Sequence, residues 1–203
     1  MARFVYQLAE ITGNYFKQIV MYSETHPSRV FKFCPKCGSP EFKITGPRSF
    51  RCSNCSFEFY VNSAAAVAAL IFNAEGKMLF TRRAVDPDKG KLDLPGGFVD
   101  PMESAERAVK RELKEELGVE VISLKYFCSF PNEYKYSGLS VFTTDLAFLT
   151  EIDKISEITP MDDISAIEYI YPEELNMEEL PSVSMKNIVH EVIQFRKNDK
   201  KQA

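Results

Sequence analysis

Gly97-Phe98-Val99-Asp100-Pro101-Met102-Glu103-Ser104-Ala105-Glu106-Arg107-Ala108-Val109-Lys110-Arg111-Glu112-Leu113-Lys114-Glu115-Glu116-Leu117-Gly118-Val119 is the stretch from which the rest of the chain is read. Between Ser104 and Leu117 the spacing predicts a helix. Ala105, Val109, Leu113 and Leu117 recur every fourth residue and make an apolar stripe for a core. Gly118 stands where a helix commonly ends in a left-handed cap. Glu112 and Glu116 form a second stripe at the same spacing, with Glu115 beside them. Like charges four apart cost a helix roughly 0.2–0.5 kcal/mol, so the cluster needs a reason. Hard divalent cations such as magnesium, which take oxygen ligands, supply one. The alternative is a solvated acidic face balanced by Lys110, Arg111 and Lys114.

The complete spacing narrows that choice. Glycine, five residues, glutamate, seven residues, Arg-Glu, an aliphatic, one residue, Glu-Glu, one residue, glycine and an aliphatic is matched throughout residues 97–119. The segment resembles the signature box of the Nudix hydrolases. That resemblance implies Mg²⁺- or Mn²⁺-dependent hydrolysis of a nucleoside diphosphate linked to another moiety, releasing a nucleoside monophosphate. It implies Glu112 and Glu116 as principal metal ligands and Glu115 as a further ligand or the base that activates water. Glu103 and Arg111 would hold the loop–helix–loop together, and the carbonyl of Gly96 would complete a metal's coordination. The implied fold is α+β, an α/β/α sandwich-like Nudix fold with a mixed sheet. Ahead of the box, Arg82, Arg83 and Lys91 are candidate phosphate ligands, since arginine presents a fork of donors. Charge at the end of a surface strand is the equal alternative.

A second constellation lies upstream. Cys34-Pro35-Lys36-Cys37 and Cys52-Ser53-Asn54-Cys55 are two C-x-x-C turns with fourteen residues between them. Four thiolates brought to one point suit a closed, structural zinc site, with iron as a weaker competitor. Gly38 gives the first turn the backbone freedom it needs. So short a segment has little core, and metal would supply much of its folding free energy. The fifth cysteine, Cys128, reads as a small buried hydrophobe. A four-cysteine ribbon, then a strand, then the box resembles the NADH pyrophosphatase branch, as does Phe59-Tyr60 after the last cysteine. That branch carries Ser-Gln-Pro-Trp-Pro-Phe-Pro after the box and a longer N-terminal domain. Here Ser129-Phe130-Pro131-Asn132-Glu133-Tyr134 agrees at the serine and a proline, and about 30 residues precede the ribbon. NAD(H), ADP-ribose, FAD and dinucleoside polyphosphates all remain candidate substrates. Tyr134 and Tyr136, within Pro131–Gly138, are candidates for stacking a base. A core or interface role for one of them is the alternative.

The 203 residues are organised as a helical segment and linker (1–30), a small zinc ribbon (31–60) and a catalytic domain (61–203). Phe4, Leu8, Ile11, Tyr15 and Ile19 predict a helix over residues 3–22, followed by a linker at 23–28. Residues 64–73 read as a buried strand, 75–76 as a turn and 77–82 as a strand closing a hairpin. Residues 86–91 read as a polar loop. Further strands are expected at 119–130, 139–149 and 165–171, with a last helix over 182–197. A net charge of −4 indicates no general attraction to nucleic acid, which enters only as a capped RNA end. No apolar run is long enough to span a bilayer, and no secretory signal begins the chain, so a cytoplasmic protein is expected. Phe57, Phe59 and Tyr60, with the apolar stripe of residues 4–19, exceed what the N-terminal part can bury alone and predict packing on the catalytic domain or on a second copy, giving a homodimer. The competing function is a nucleotide-sensing regulator whose ribbon binds nucleic acid or a protein partner. Intact box glutamates and the lack of a basic tract weigh against it.

Overall fold

The computed structural model describes residues 23–46, 48–153, 158, 160–161 and 163–199. The helix expected over 3–22 lies outside them. The chain forms two compact units, one holding residues up to Val61 together with Lys135–Ser140, the other holding Asn62–Tyr134 and the residues from Val141 on.

In the first unit the expected linker contains a short helix, α1 (Pro27–Val30). Pro27 starts it because proline's fixed φ suits the first helical position, and the His26 ring accepts the Ser28 N–H. Three antiparallel strands follow, β1 (Phe42–Gly46), β2 (Ser49–Cys52) and β3 (Glu58–Tyr60), in the order β1-β2-β3. Cys34, Phe42, Phe50 and Cys52 form the small buried core, against which Phe31, Phe57 and Phe59 pack. Phe57 and Phe59 thus find cover inside the unit, while Tyr60 and Phe33 remain exposed.

The second unit holds two three-stranded sheets. One has the order β4 (Ala64–Leu70), β8 (Leu139–Ile152), β7 (Val121–Tyr136), and β4 runs parallel to β8. The other has β6 (Leu92–Asp93), β5 (Met78–Arg83) and β9 (Ile164–Ile170), all antiparallel. Two helices complete it, α2 (Ala105–Leu117) and α3 (Val183–Asp199). Why β4 is a continuous apolar run is visible in its alternation. Val67, Ala69 and Ile71 pack in one cluster with Val109, Leu113 and Leu117 of α2. Ala68 and Leu70 pack in another with Ile188, Val189 and Val192 of α3. A strand covered on both faces needs apolar residues at every position. The result is the expected α/β/α layering with a mixed sheet.

Two expectations change. Asn73 caps the turn by accepting the Glu75 and Lys77 N–H groups, but β4 and β5 meet only at the Phe72–Met78 bridge and then enter different sheets. Beyond the bridge β4 has other partners: β8 on one edge, and on the other residues 95–99, through Val67 N–H to Gly97 O (2.8 Å), Ala69 N–H to Pro95 O (2.8 Å) and Val99 N–H to Ala65 O (3.0 Å). Second, Pro131–Tyr136 continues β7 instead of following it. Proline is tolerated because β7 is the edge strand of its sheet. The β7–β8 hairpin closes at Ser137-Gly138, both at positive φ (49° and 76°), as a two-residue hairpin turn requires.

Candidate active site

Helix α2 is fixed at both ends by the sequence itself. The Ser104 hydroxyl accepts the Arg107 N–H, and Gly118, at φ 68°, donates back to the carbonyls of Leu113 and Lys114. With Leu113 and Leu117 buried on one side, Glu112 and Glu116 are turned toward the loop that precedes the helix. That loop passes between β4 and the glutamates because it carries no side chain at Gly96 and Gly97. A Cβ on Gly96, whose φ is +140°, would stand 2.1 Å from the Val67 carbonyl oxygen, and one on Gly97 would stand 2.6 Å from Glu112 Oε1. The Gly96 N–H donates to Glu116 Oε2 at 3.0 Å.

Arg111 organises the cluster. Its Nε and Nη2 donate to the two oxygens of Glu103 (3.1 and 2.9 Å), a bidentate pair, and Nη2 also reaches the Phe98 carbonyl at 3.0 Å. Its Nη1 lies between Glu112 Oε1 (2.8 Å) and Glu115 Oε2 (3.1 Å). Glu103 is held below the usual carboxylate range by Arg111 and then by the Asp100 N–H. Glu112 is pushed the other way by burial, against the opposing pull of Arg111, and Glu115 and Glu103 add to the rise. Its side chain is 14% exposed, that of Glu115 52%. Glu112 is therefore the more buried of the two carboxylates that share Arg111 Nη1. Glu112, Glu115 and Glu116 offer the hard oxygen ligands that magnesium takes, and Gly97 leaves the gap in front of Glu112 open. The three carboxylates are not gathered to one point: two share Arg111 and the third accepts from Gly96.

The family model described as NUDIX domain matches residues 62–191, well over half of the chain. The chain belongs to the Nudix family. The chain is 33% identical over 134 residues to the NAD-capped RNA hydrolase NudC of Deinococcus radiodurans, covering 64% of this chain and 45% of that protein. It is 30% identical over 121 residues to the protein of that name from Haemophilus influenzae, covering 59% and 46%. The chain thus spans about half the length of these curated relatives. Among solved structures, the MutT protein of Methanosarcina mazei matches with a TM-score of 0.54 at 25% identity, over 68% of this chain and 96% of that one.

Around the Nudix box, the candidate phosphate ligands are already engaged. Arg82 binds Glu168 (2.5 Å), Glu179 (3.1 Å) and the Gly90 carbonyl, Arg83 binds Asp93 (2.8 Å) and the Pro87 carbonyl, and Lys91 binds the Glu178 carbonyl. Asp93 is partly buried, and that burial raises it while Arg83 pulls it down. Tyr134 lies edge-on to Phe98, with ring centroids 6.2 Å apart, and its phenol is near enough to act on the Arg83 charge. Tyr136 is exposed and belongs to the first unit. Sequence reasoning missed Phe98. The available signal was an aromatic between the fixed Gly97 and Glu103, which the structure leaves 45% exposed.

In the first unit the four cysteines do come together. All four Sγ atoms lie within 4.8 Å of one another, with Cys34–Cys55 and Cys37–Cys52 both at 3.7 Å. A tetrahedron of thiolates at the usual zinc–sulfur length has edges of about 3.8 Å. The two knuckles are built alike. Gly38 N–H returns to Cys34 O and Ser56 N–H to Cys52 O, each from a residue at positive φ. Serine performs at the second turn what glycine does at the first. The Ser39 backbone N–H, then Asn54, pulls Cys37 down to about 6. Among the described residues no helix is long and apolar enough to cross a membrane.

Proposed function

We propose that the chain is a divalent-metal-dependent pyrophosphohydrolase acting on a nucleoside diphosphate joined to another group: NAD(H), ADP-ribose or an NAD-capped RNA end. The observation that carries this is the Arg111-centred carboxylate cluster facing the side-chain-free Gly96-Gly97 loop. Glu112 and Glu116 would hold Mg²⁺ or Mn²⁺ with the Gly96 carbonyl, and Glu115 serves as a third ligand or as the base. The bound metal supplies an acidified water and offsets the phosphate charge. Glu103 and Arg111 are positioning residues that fix the helix to the loop. Arg82, Arg83 and Lys91 buttress the wall beside it, and each would have to exchange an internal partner to hold phosphate. Phe98 and Tyr134 offer the aromatic faces on which a base can stack, with Tyr136 as a further candidate.

A panel of NADH, ADP-ribose, FAD and dinucleoside polyphosphates with Mg²⁺ or Mn²⁺ tests the reading. Turnover that stops in EDTA and yields a nucleoside monophosphate is expected. No turnover of any of them, with either metal, overturns it. The four cysteines are assigned a structural zinc, which suits the reducing cytoplasm. Homodimerisation through the ribbon unit is part of the same proposal, supported by the exposure of Phe33 (63%) and Tyr60 (48%). Light scattering should report a dimer at micromolar concentration, and a monomer there removes that claim alone.

A further inference from the structure

One face of the β4–β8 sheet changes character within a single row of residues. In the row formed by Ala68 and Ala147, paired in register, both residues are buried in the cluster that α3 covers. The row before it is Ala66, paired with Asp145 on one side and bridged to Phe98 on the other. Registered partners on neighbouring strands point to the same face, so these three side chains stand in line. Ala66 and Asp145 are half-buried and Phe98 is exposed, so this row is open where the next is closed. At about 4.8 Å per strand, Phe98 and Asp145 stand roughly 10 Å apart, on either side of Ala66. The result is a trough with an aromatic wall at one end and a carboxylate at the other, and Gly97, against Glu112, is next to that wall.

Asp145 has an unusual set of partners. Thr143 Oγ1 donates to it at 2.6 Å and the fully buried Ser184 hydroxyl also donates to it, with Ser182 bonded to Ser184. Among the described residues no ion pair joins it to a lysine, arginine or histidine. A carboxyl group held by two hydroxyls in a half-open row retains acceptor capacity for N–H donors. We infer that Asp145 is a specificity residue that accepts a hydrogen bond from an amino or carboxamide N–H of the substrate's base. The base would lie in the Ala66 trough beside Phe98. This rests on the nucleoside-diphosphate reading above. The chemistry is shared by the exocyclic amine of adenine and the carboxamide of nicotinamide.

Two matched pairs separate the sources: ADP-ribose against its analogue with unsubstituted purine, which lacks the 6-amino group, and NADH against the analogue whose carboxamide is a carboxylate. Wild-type kcat/KM should favour the N–H donor by roughly 10- to 100-fold in one pair, the range of a hydrogen bond to a charged group, with most of the difference in KM. Asp145→Asn, whose amide can both donate and accept, should bring that ratio near one. Asp145→Ser, which keeps a short polar side chain, provides the same readout if the asparagine variant does not fold. Dissociation constants by calorimetry in Ca²⁺ provide a second arm that does not depend on turnover. A ratio that depends on Asp145 in binding but without hydrolysis defeats the proposed function and leaves this inference standing. If Asp145→Asn lowers all four substrates equally, or changes only the melting temperature, Asp145 is merely an anchor for α3 and the inference fails. It fails equally if none of the four binds.

Discussion

Glu112→Gln and Glu116→Gln should each lower kcat by at least ~10²-fold at saturating substrate, because each replaces a charged ligand of a hard divalent cation with a neutral one. The shape of the site is retained in both variants. At position 112 the glutamine still fits the gap opposite Gly97, and Arg111 keeps its bidentate pair with Glu103, its bond to the Phe98 carbonyl and its contact with Glu115. At position 116 the amide oxygen can still accept the Gly96 N–H. Folding should therefore survive, and removing one of several like charges four residues apart relieves roughly 0.2–0.5 kcal/mol of repulsion in the metal-free helix. Two readings besides activity separate a ligand from a structural residue. Mn²⁺ affinity by electron paramagnetic resonance should weaken, and the melting temperature without metal should stay near the parent's. Glu115→Gln distinguishes its two roles: a ligand loses metal affinity, whereas a base shows a flattened pH–rate profile at saturating metal. If both Gln variants turn over the best substrate at the parent rate, the glutamate helix is not the active site.

The box was legible because its constraints are local. The α2 stripe and its Gly118 cap follow from spacings within one helix, and the Glu103–Arg111 pair is what the family resemblance implies for the loop before it. The cysteine cluster was legible for the same reason, each knuckle being a single turn. What was not legible depends on partners distant in sequence. Periodicity makes residues 77–82 a strand but does not reveal that β4 gives its edges to β8 and to residues 95–99, leaving β5 to pair with β9. Pro131 reads as a strand terminator until β7 is known to be an edge. The roles of Arg82 and Arg83 turn on Glu168 and Asp93, which no short motif connects to them. Asp145 falls within the strand expected at 139–149, and no motif in the sequence singles it out. Only the register with Ala66, and Ala66 with Phe98, places it in line with the box.

Protein purified without added metal should contain about one zinc per chain, and removing it should unfold the first unit. The unit's buried core explains why. Two of its four buried members, Cys34 and Cys52, are themselves candidate ligands, so what remains without metal is Phe42 and Phe50 under a few partly covered aromatics. So small a core does not hold a fold, whereas zinc binding contributes on the order of 10–16 kcal/mol in small zinc-dependent domains at neutral pH. Two of the sulfur pairs, at 3.7 Å, already match the edges of a filled tetrahedral site, and all four sulfurs lie within 4.8 Å of one another. The metal must displace protons. Cys37 is poised to give one up near neutrality, at about 6, while Cys55 is pushed up to about 12, where the lowering by the Phe57 backbone N–H is outweighed by burial and by its neighbours Cys37, Cys34 and Cys52. Thiol protons compete with the metal, so zinc affinity should rise with pH and zinc should leave on acidification. Elemental analysis and Co²⁺ substitution, whose visible spectrum distinguishes four thiolates, measure occupancy. Limited proteolysis across residues 31–60, with and without a chelator, measures folding. Cys34→Ser should cut zinc content and soluble yield far more than it changes kcat in the folded fraction. Protein that carries neither zinc nor iron, or that joins the knuckles by a disulfide, rules out the metal ribbon and leaves the assignment of the glutamate site intact.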